Sequence, residues 1–306
     1  MIRIGTRGSP LALVQAGAAR DALVAAAPGL AVDIVSIRTT GDRVQDRKLM
    51  EIGGKGLFTK EIEEALRDGR IDCAVHSVKD MQTWLPEGLA IGAMLPREDA
   101  RDALIARRGT DIAGLPEGAV VGTSSLRRQA QLLALRPDLK VVPLRGNVET
   151  RLRKLEAGEA DATLLAVAGL KRLGLLDKAT AIVDDDEILP AVGQGAIGIE
   201  IRAGDARLRD LLAPLDHRAT TLCVTAERAC LAELDGSCHT PIAAHAELVD
   251  DGRSLRLRAL IALPDGSVVH RDESRGPTGD AAKLGRGAGR RLKDAAEPAF
   301  FRAATA

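Results

Sequence analysis

Of the four cysteines in the chain, Cys238 stands apart because its surroundings read as a turn. The stretch Leu234-Asp235-Gly236-Ser237-Cys238-His239-Thr240-Pro241-Ile242 holds it between a glycine and a proline, where an apolar helical pattern gives way to a strand pattern. Loops held by such scaffolds often carry function. Cys223 and Cys230 lie on one face of the preceding helical run and Cys73 lies in an apolar strand, so these three read as core. A cysteine in a turn is either a small buried hydrophobe or a free thiol to which something is attached, and its context has to decide.

Arginines recur where local physics disfavours them. After the strand Val120-Val121, the run Gly122-Thr123-Ser124-Ser125-Leu126-Arg127-Arg128 caps a helix with hydroxyls yet puts two cations in its first turn, against the helix dipole. A bound anion would remove that conflict. Arg7 precedes a helix capped by Ser9 in the same way, Arg145 ends a strand before Gly146-Asn147, and Arg151 lies one turn into the next helix. In doubly wound sheets the carboxyl ends of strands and the neighbouring helix N-termini line the ligand crevice, so Arg7, Lys79, Arg127, Arg128 and Arg145 are expected to converge there on a ligand rich in carboxylate or phosphate. Any one of them alone would be a solvated surface charge; their repetition at strand-to-helix junctions argues otherwise. Asp80 sits among these cations at a strand end. It is either an ordinary ion-pair partner or a carboxylate that stabilises developing positive charge or handles a proton.

The elements that must hold these groups alternate. Strands are expected at Ile2 to Thr6, Val32 to Arg38, Cys73 to His76 and Leu89 to Leu95, with a helix opened by Ser9-Pro10 and running to about Ala26, and another at Thr59 to Arg67. This βαβ beginning predicts a parallel sheet. The polar stretch from Gly41 to Phe58, with Gly53-Gly54-Lys55-Gly56, is long enough to be a mobile functional lid or a disordered segment. Past a charged, turn-like segment from Pro96 to Asp102 the alternation restarts, with strands at Ala103 to Ala106, Val120 to Gly122, Lys140 to Leu144 and Ala162 to Ala166, and helices after Ser124, after Asn147 and near Gly169 to Leu173. The strand Ile197 to Ile201 could join either sheet. A helix from Leu215 to Leu234 leads into an antiparallel meander from Ile242 to Asp272, with turns at Asp251-Gly252 and Asp265-Gly266, and a last helix reaches about Ala296. The acidic run Asp184-Asp185-Asp186-Glu187 reads as a solvated turn and no metal site is assigned. The fold class is therefore α/β: two doubly wound βα domains plus a small α+β C-terminal domain. Domain 1 would span 1-95 and 196-214 and carry Asp80 and the Lys55 loop; domain 2, 100-190, would carry the arginines; domain 3, 217-306, would carry Cys238.

Composition removes several function classes. Lys+Arg and Asp+Glu both total 43 of 306 residues, so no global attraction to nucleic acid or to an anionic membrane follows. Three Phe, one Trp and no Tyr leave almost no stacking platform for single-stranded nucleic acid. No apolar run approaches the roughly 20 residues that span a bilayer. The start, Met1-Ile2-Arg3-Ile4-Gly5-Thr6-Arg7, enters a strand pattern directly and is expected to belong to a cytoplasmic protein. The cysteines form no Cys-x-x-Cys pair, which argues against a zinc ribbon and, in a reducing compartment, against disulfides.

The order and spacing of Arg7-Gly8-Ser9-Pro10-Leu11-Ala12, Gly53-Gly54-Lys55-Gly56-Leu57-Phe58, His76-Ser77-Val78-Lys79-Asp80, Gly122-Thr123-Ser124-Ser125-Leu126-Arg127-Arg128, Leu144-Arg145-Gly146-Asn147, Gln194-Gly195 and Gly236-Ser237-Cys238 closely resemble the porphobilinogen deaminase (hydroxymethylbilane synthase) family, from Ile2 to about Ala296. The resemblance implies sheets of the periplasmic-binding-protein type and a transferase, expected to be monomeric, that joins four porphobilinogen units head to tail with loss of ammonia. The chain would grow on a dipyrromethane cofactor held by a thioether to Cys238, and hydrolysis would release the linear tetrapyrrole. It implies that Asp80 is catalytic, its carboxylate meeting pyrrole N–H groups and stabilising the cation left when the amine departs. Lys79, Thr123, Ser125, Arg127, Arg128, Arg145 and Gly146 are implied to bind cofactor; Arg7, Ser9, Phe58, Arg145, Arg151, Arg172 and Gln194 to bind substrate; and Lys55 to belong to the mobile loop. Met81-Gln82 departs from the Val-Pro pair common in the family, and His239 stands at a variable position. Two other classes share parts of this pattern. A non-catalytic anion-binding protein of the periplasmic type would need an export signal and has no use for Cys238 with Asp80; the effector domain of a transcription regulator would bring a helix-turn-helix segment.

Overall fold

Ser9 and Pro10 begin the first helix as their chemistry requires: the Ser9 hydroxyl accepts from the Ala12 N–H at 3.3 Å and the proline takes the first turn, where no N–H is needed. In the computed structural model, which describes residues 1–43, 56–234, 241–296 and 300, the chain divides into two units, Met1–Glu98 with Gly195–Thr221 and Asp99–Gln194 with Leu222–Ala306. The stretch expected as a lid falls largely outside the described residues.

The first unit runs β1 (Ile2–Arg7), α1 (Pro10–Ala26), β2 (Val32–Ile37), the single turn α2 (Thr40–Arg43), α3 (Lys60–Arg67), β3 (Cys73–Ser77), a 3₁₀ turn over Val78–Asp80, and β4 (Leu89–Met94). The second continues with β5 (Asp102–Ala106), β6 (Val120–Gly122), α4 (Leu126–Leu135), β7 (Lys140–Val142), α5 (Val148–Glu156), β8 (Ala162–Ala166), α6 (Val167–Arg172) and the short β9 (Ala181–Ile182). The chain then returns to the first unit as β10 (Ile197–Arg202) and α7 (Ala206–Leu212). It ends with α8 (Arg218–Glu233), β11 (Ile242–Val249), β12 (Ser254–Ala262), β13 (Val269–Pro277) and α9 (Ala281–Ala295).

Both large sheets follow one plan, β2-β1-β3-β10-β4 and β7-β6-β8-β5-β9. In each sheet four strands run one way and one is reversed: β10 runs antiparallel to β3 and β4, and β5 antiparallel to β8 and β9. The sheets are mixed, which corrects the parallel expectation. The crossover argument governs a strand followed by its own helix and the next strand; β10 arrives from the far end of the second sheet and is not bound by it. Ile4, Ala16, Ala19, Leu23, Ile199 and Leu212 are fully buried in the first core, each large aliphatic contributing about 1.5–3 kcal/mol.

The small sheet is the expected antiparallel meander, β11-β12-β13, covered by α8 and α9. Glycine decides how closely these helices approach: a Cβ on Gly285 would lie 2.0 Å from the Ala226 carbonyl oxygen, and one on Gly289 2.8 Å from that of Cys230. The acidic run is not simply a solvated turn. Asp185 pairs with Arg258 of β12 and with His245 of β11 at 3.1 Å, and Arg258 also reaches Asp186, so this turn is tied to the small sheet by charge.

Candidate active site

In the first unit the ends of β1 and β3 bring the expected groups together. Arg7, the last residue of β1, lies 3.9 Å from the Asp80 carboxylate at the end of the 3₁₀ turn, and its guanidinium carbon sits 4.2 Å over the Phe58 ring centroid. A half-exposed pair at that distance contributes no more than about 1 kcal/mol, so its effect is to orient the carboxylate. The cation over the ring is within the ~6 Å range of a cation–π contact and fixes the guanidinium from the other side. Phe58 can lie there because residue 41 is glycine; a Cβ would stand 2.3 Å from the ring. Ser77, just before the turn, is bonded to the buried Gln15 amide at 2.9 Å. Lys79 and Asp80 face solvent, and Ser9 holds the N-terminus of α1 beside Arg7.

In the second unit Arg127 and Arg128 are buried, with only 6% and 5% of their surface exposed. Between them lies Asp102, fully enclosed at the head of β5. Arg127 Nη2 donates to Oδ2 at 2.7 Å, and Arg128 donates from Nε to Oδ2 at 3.1 Å and from Nη2 to Oδ1 at 2.7 Å. Arg127 Nη1 reaches the Leu189 carbonyl, and the Gln194 amide donates to Oδ1 at 2.8 Å and to the Ala100 carbonyl at 2.6 Å. Burial alone would raise the Asp102 carboxyl, but the two guanidiniums outweigh it and hold the group well below the usual carboxylate range. Burial, with Arg128 close by, lowers Arg127, against the pull of Asp102. Two cations to one carboxylate leave one positive charge at the start of α4.

Around that charge the helix N-termini are capped by side chains. Ser125 accepts from the Arg128 N–H, Thr123 Oγ1 accepts from the Ser125 N–H at 3.1 Å, and Asn147 Oδ1 accepts from the Thr150 N–H at 2.9 Å. Gly146 has φ of +121°, and a Cβ there would fall 2.5 Å from Thr150, so only glycine fits between Arg145 and the α5 cap. Arg151 folds back to donate from Nε to the Gly146 carbonyl at 2.8 Å. Arg172 is half-buried at the end of α6. The Ser124 hydroxyl is enclosed without a hydrogen-bond partner among the described residues.

The family model described as porphobilinogen deaminase, dipyromethane cofactor binding domain, matches residues 2–210, and that of the porphobilinogen deaminase C-terminal domain matches 221–294. The chain belongs to the porphobilinogen deaminase family. It is 60% identical to the porphobilinogen deaminase of Paracoccus denitrificans over 98% of this chain and 96% of that one. It is 56% identical to that of Nitrobacter hamburgensis over 97% and 94%. The chloroplastic porphobilinogen deaminase of Oryza sativa subsp. japonica is 54% identical over 98% and 86%. As a family member this is a transferase of tetrapyrrole biosynthesis that uses a dipyrromethane cofactor.

For a porphobilinogen deaminase the donor set suits a polycarboxylate cofactor: an uncompensated positive charge at α4, arginines at the start of α5, and an enclosed hydroxyl, Ser124, with no internal partner among the described residues. Cys238 and Lys55 lie outside the described residues. The other three cysteines are buried, and burial pushes the Cys73 and Cys230 thiols up to about 12, far from a reactive thiolate. Two placements differ from expectation. Gln194, expected at the substrate, is fully buried on Asp102, and the anion expected to settle Arg127 and Arg128 is in the first instance the protein's own carboxylate. In the sequence Asp102 merges with the charged segment from Pro96, and the one signal that sets it apart is that it opens the apolar run Ala103-Leu104-Ile105.

Proposed function

We propose that this chain joins porphobilinogen units head to tail, expelling ammonia at each addition, on a dipyrromethane primer linked by a thioether to Cys238, and that hydrolysis frees the linear tetrapyrrole. The observation that carries the assignment of roles is Asp80: an exposed carboxylate at the end of the 3₁₀ turn after β3, oriented by Arg7. As the substrate's amine leaves as ammonia, positive charge develops on the pyrrole and its methylene carbon. A fixed carboxylate beside it lowers that barrier, and removal of one such electrostatic contact costs about 100-fold or more in turnover.

The chain's cations then have a common task. Arg7 and Lys79, and Arg127, Arg128, Arg145, Arg151 and Arg172, neutralise acetate and propionate groups of cofactor and substrate, with Ser9, Thr123, Ser125 and Gly146 adding hydroxyl and backbone contacts and Phe58 an apolar face. Arginine suits this work because its planar fork meets a carboxylate with two hydrogen bonds. The cofactor supplies a nucleophilic pyrrole carbon as the starting end of the chain. Gln194 acts through Asp102. Residues 217–306 form the cofactor-bearing domain, and the enzyme works as a cytoplasmic monomer without nucleic acid.

Intact mass tests the reading. Purified enzyme should carry a dipyrrole adduct that Cys238→Ser lacks while keeping its fold. An adduct retained in that variant, or mapped to Cys73, Cys223 or Cys230, refutes the attachment, and a bare parental polypeptide favours an anion-binding protein without this chemistry.

A further inference from the structure

Gln82, two residues past Asp80, makes a contact that the functional reading does not use. Its side-chain Nε2 donates to both oxygens of Glu63 in α3, at 3.1 and 3.3 Å. Glu63 is only 4% exposed; burial raises its carboxyl above the ordinary value and Glu200 adds to this, while hydrogen bonds from Thr59 and Gln82 and the charge of His76 act against it. On the other side of the turn, four residues before Asp80, His76 Nε2 lies 3.0 Å from Glu200 of β10, which is fully buried. The segment carrying Asp80 is thus tied at both ends to buried acids.

The same amide meets the turn that carries Phe58. A Cβ on Gly56 would lie 2.6 Å from Gln82 Nε2, so the side chain occupies space that glycine leaves open. The contacts close a ring: Gln82 packs on the Gly56 to Thr59 turn, Phe58 of that turn lies on Arg7, Arg7 faces Asp80, and two residues of chain lead back to Gln82. We infer that Gln82 is a positioning residue, whose amide clamp on Glu63 fixes the Asp80 turn and the Phe58 turn relative to each other. The inference rests on the catalytic reading of Asp80. A long polar side chain with a buried carboxylate as its anchor holds one geometry, where an apolar one of equal length would leave Glu63 short of donors and the turn free to shift.

The test uses the full chain with its cofactor in place. Gln82→Met is close to isosteric and removes the donor; Gln82→Met with Glu63→Met also removes the orphaned acid. Trp84 is the chain's only tryptophan, 64% exposed and two residues beyond Gln82, so its time-resolved fluorescence anisotropy reports motion of this segment alone. Gln82→Met should lower kcat by about tenfold, as a misplacement of a fraction of an ångström does, and leave KM for porphobilinogen within about twofold. Trp84 should depolarise faster. The double variant should be no slower than the single one, because both break one contact; if Gln82→Met alone fails to fold, the double variant supplies the same readings. A kcat within about twofold of the parent overturns the inference. So does a fall in kcat with unchanged Trp84 anisotropy, which would put Gln82 on the substrate itself. Asp80→Asn separates the two levels: full turnover there removes the catalytic reading, whereas a dead Asp80→Asn beside a fully active Gln82→Met removes only the clamp.

Discussion

Asp102→Asn is the sharpest perturbation of the second unit, because it keeps shape and removes one charge. Asp102 accepts three hydrogen bonds from Arg127 and Arg128 and one from Gln194, and none of its surface is exposed. Each charge-assisted bond is worth roughly 1.5–3 kcal/mol before desolvation is subtracted. Asparagine retains one acceptor oxygen and turns the other atom into a donor facing a guanidinium N–H. Two buried cations then lack a counter-charge, and breaking a buried pair in this way costs about 3–5 kcal/mol. For a unit of this size the apparent Tm should drop by about 6–20 °C. Thermal melting measures that shift, urea unfolding followed by circular dichroism measures the free-energy loss, and pH supplies a control on cause. The folded carboxyl is held below its unfolded value, so its contribution is complete above the unfolded value and declines as pH falls toward the folded one. The gap between parent and variant should therefore be constant from pH 7 to pH 5 and narrow below about pH 4. A loss under about 1 kcal/mol at pH 7, in the range of an exposed pair, would refute the claim that this carboxylate balances the arginines.

Other expectations are separable. Asp80→Asn should lower turnover by about 100-fold or more, with melting little changed, since its ion pair with Arg7 is long and half-exposed; near-normal turnover would count against its role. Arg127→Leu should reduce cofactor loading by intact mass and also lower Tm, because Asp102 loses a partner; full loading would show that the residual charge does not meet the ligand. Gly285→Ala, which in an exposed helix would stabilise by about 1 kcal/mol, should instead destabilise by about 1–3 kcal/mol, since the new methyl meets the Ala226 carbonyl; thermal melting gives the sign directly.

What was legible in the sequence was what short-range chemistry encodes. Ser9-Pro10, the hydroxyl run Thr123-Ser124-Ser125 and Asn147 each mark a helix start because a cap acts within three residues, and Ser9, Ser125 and Asn147 are the caps. The turns at Asp251-Gly252 and Asp265-Gly266 likewise follow from glycine at positive φ. Strand direction is a different matter. β10 pairs with β3 more than a hundred residues away, and nothing in Ile197 to Arg202 specifies which way it runs. Gln82 read only as a departure from the family's usual residue because Glu63, its partner, sits on another element.

The arginine pair shows where local charge reasoning stops. Two cations in the first turn of α4 oppose the dipole, and the deduction that an anion must sit among them is sound. Its source could not be deduced, because Asp102 meets them from a strand 25 and 26 residues upstream. One carboxylate cannot neutralise two guanidiniums, however, and the positive end of the helix dipole adds to the imbalance. The internal ion pair therefore meets half of the demand and holds both side chains in place before any ligand arrives. Both guanidiniums are thus ordered by folding, so under the proposed function a carboxylate-bearing cofactor would meet them with little further entropic loss.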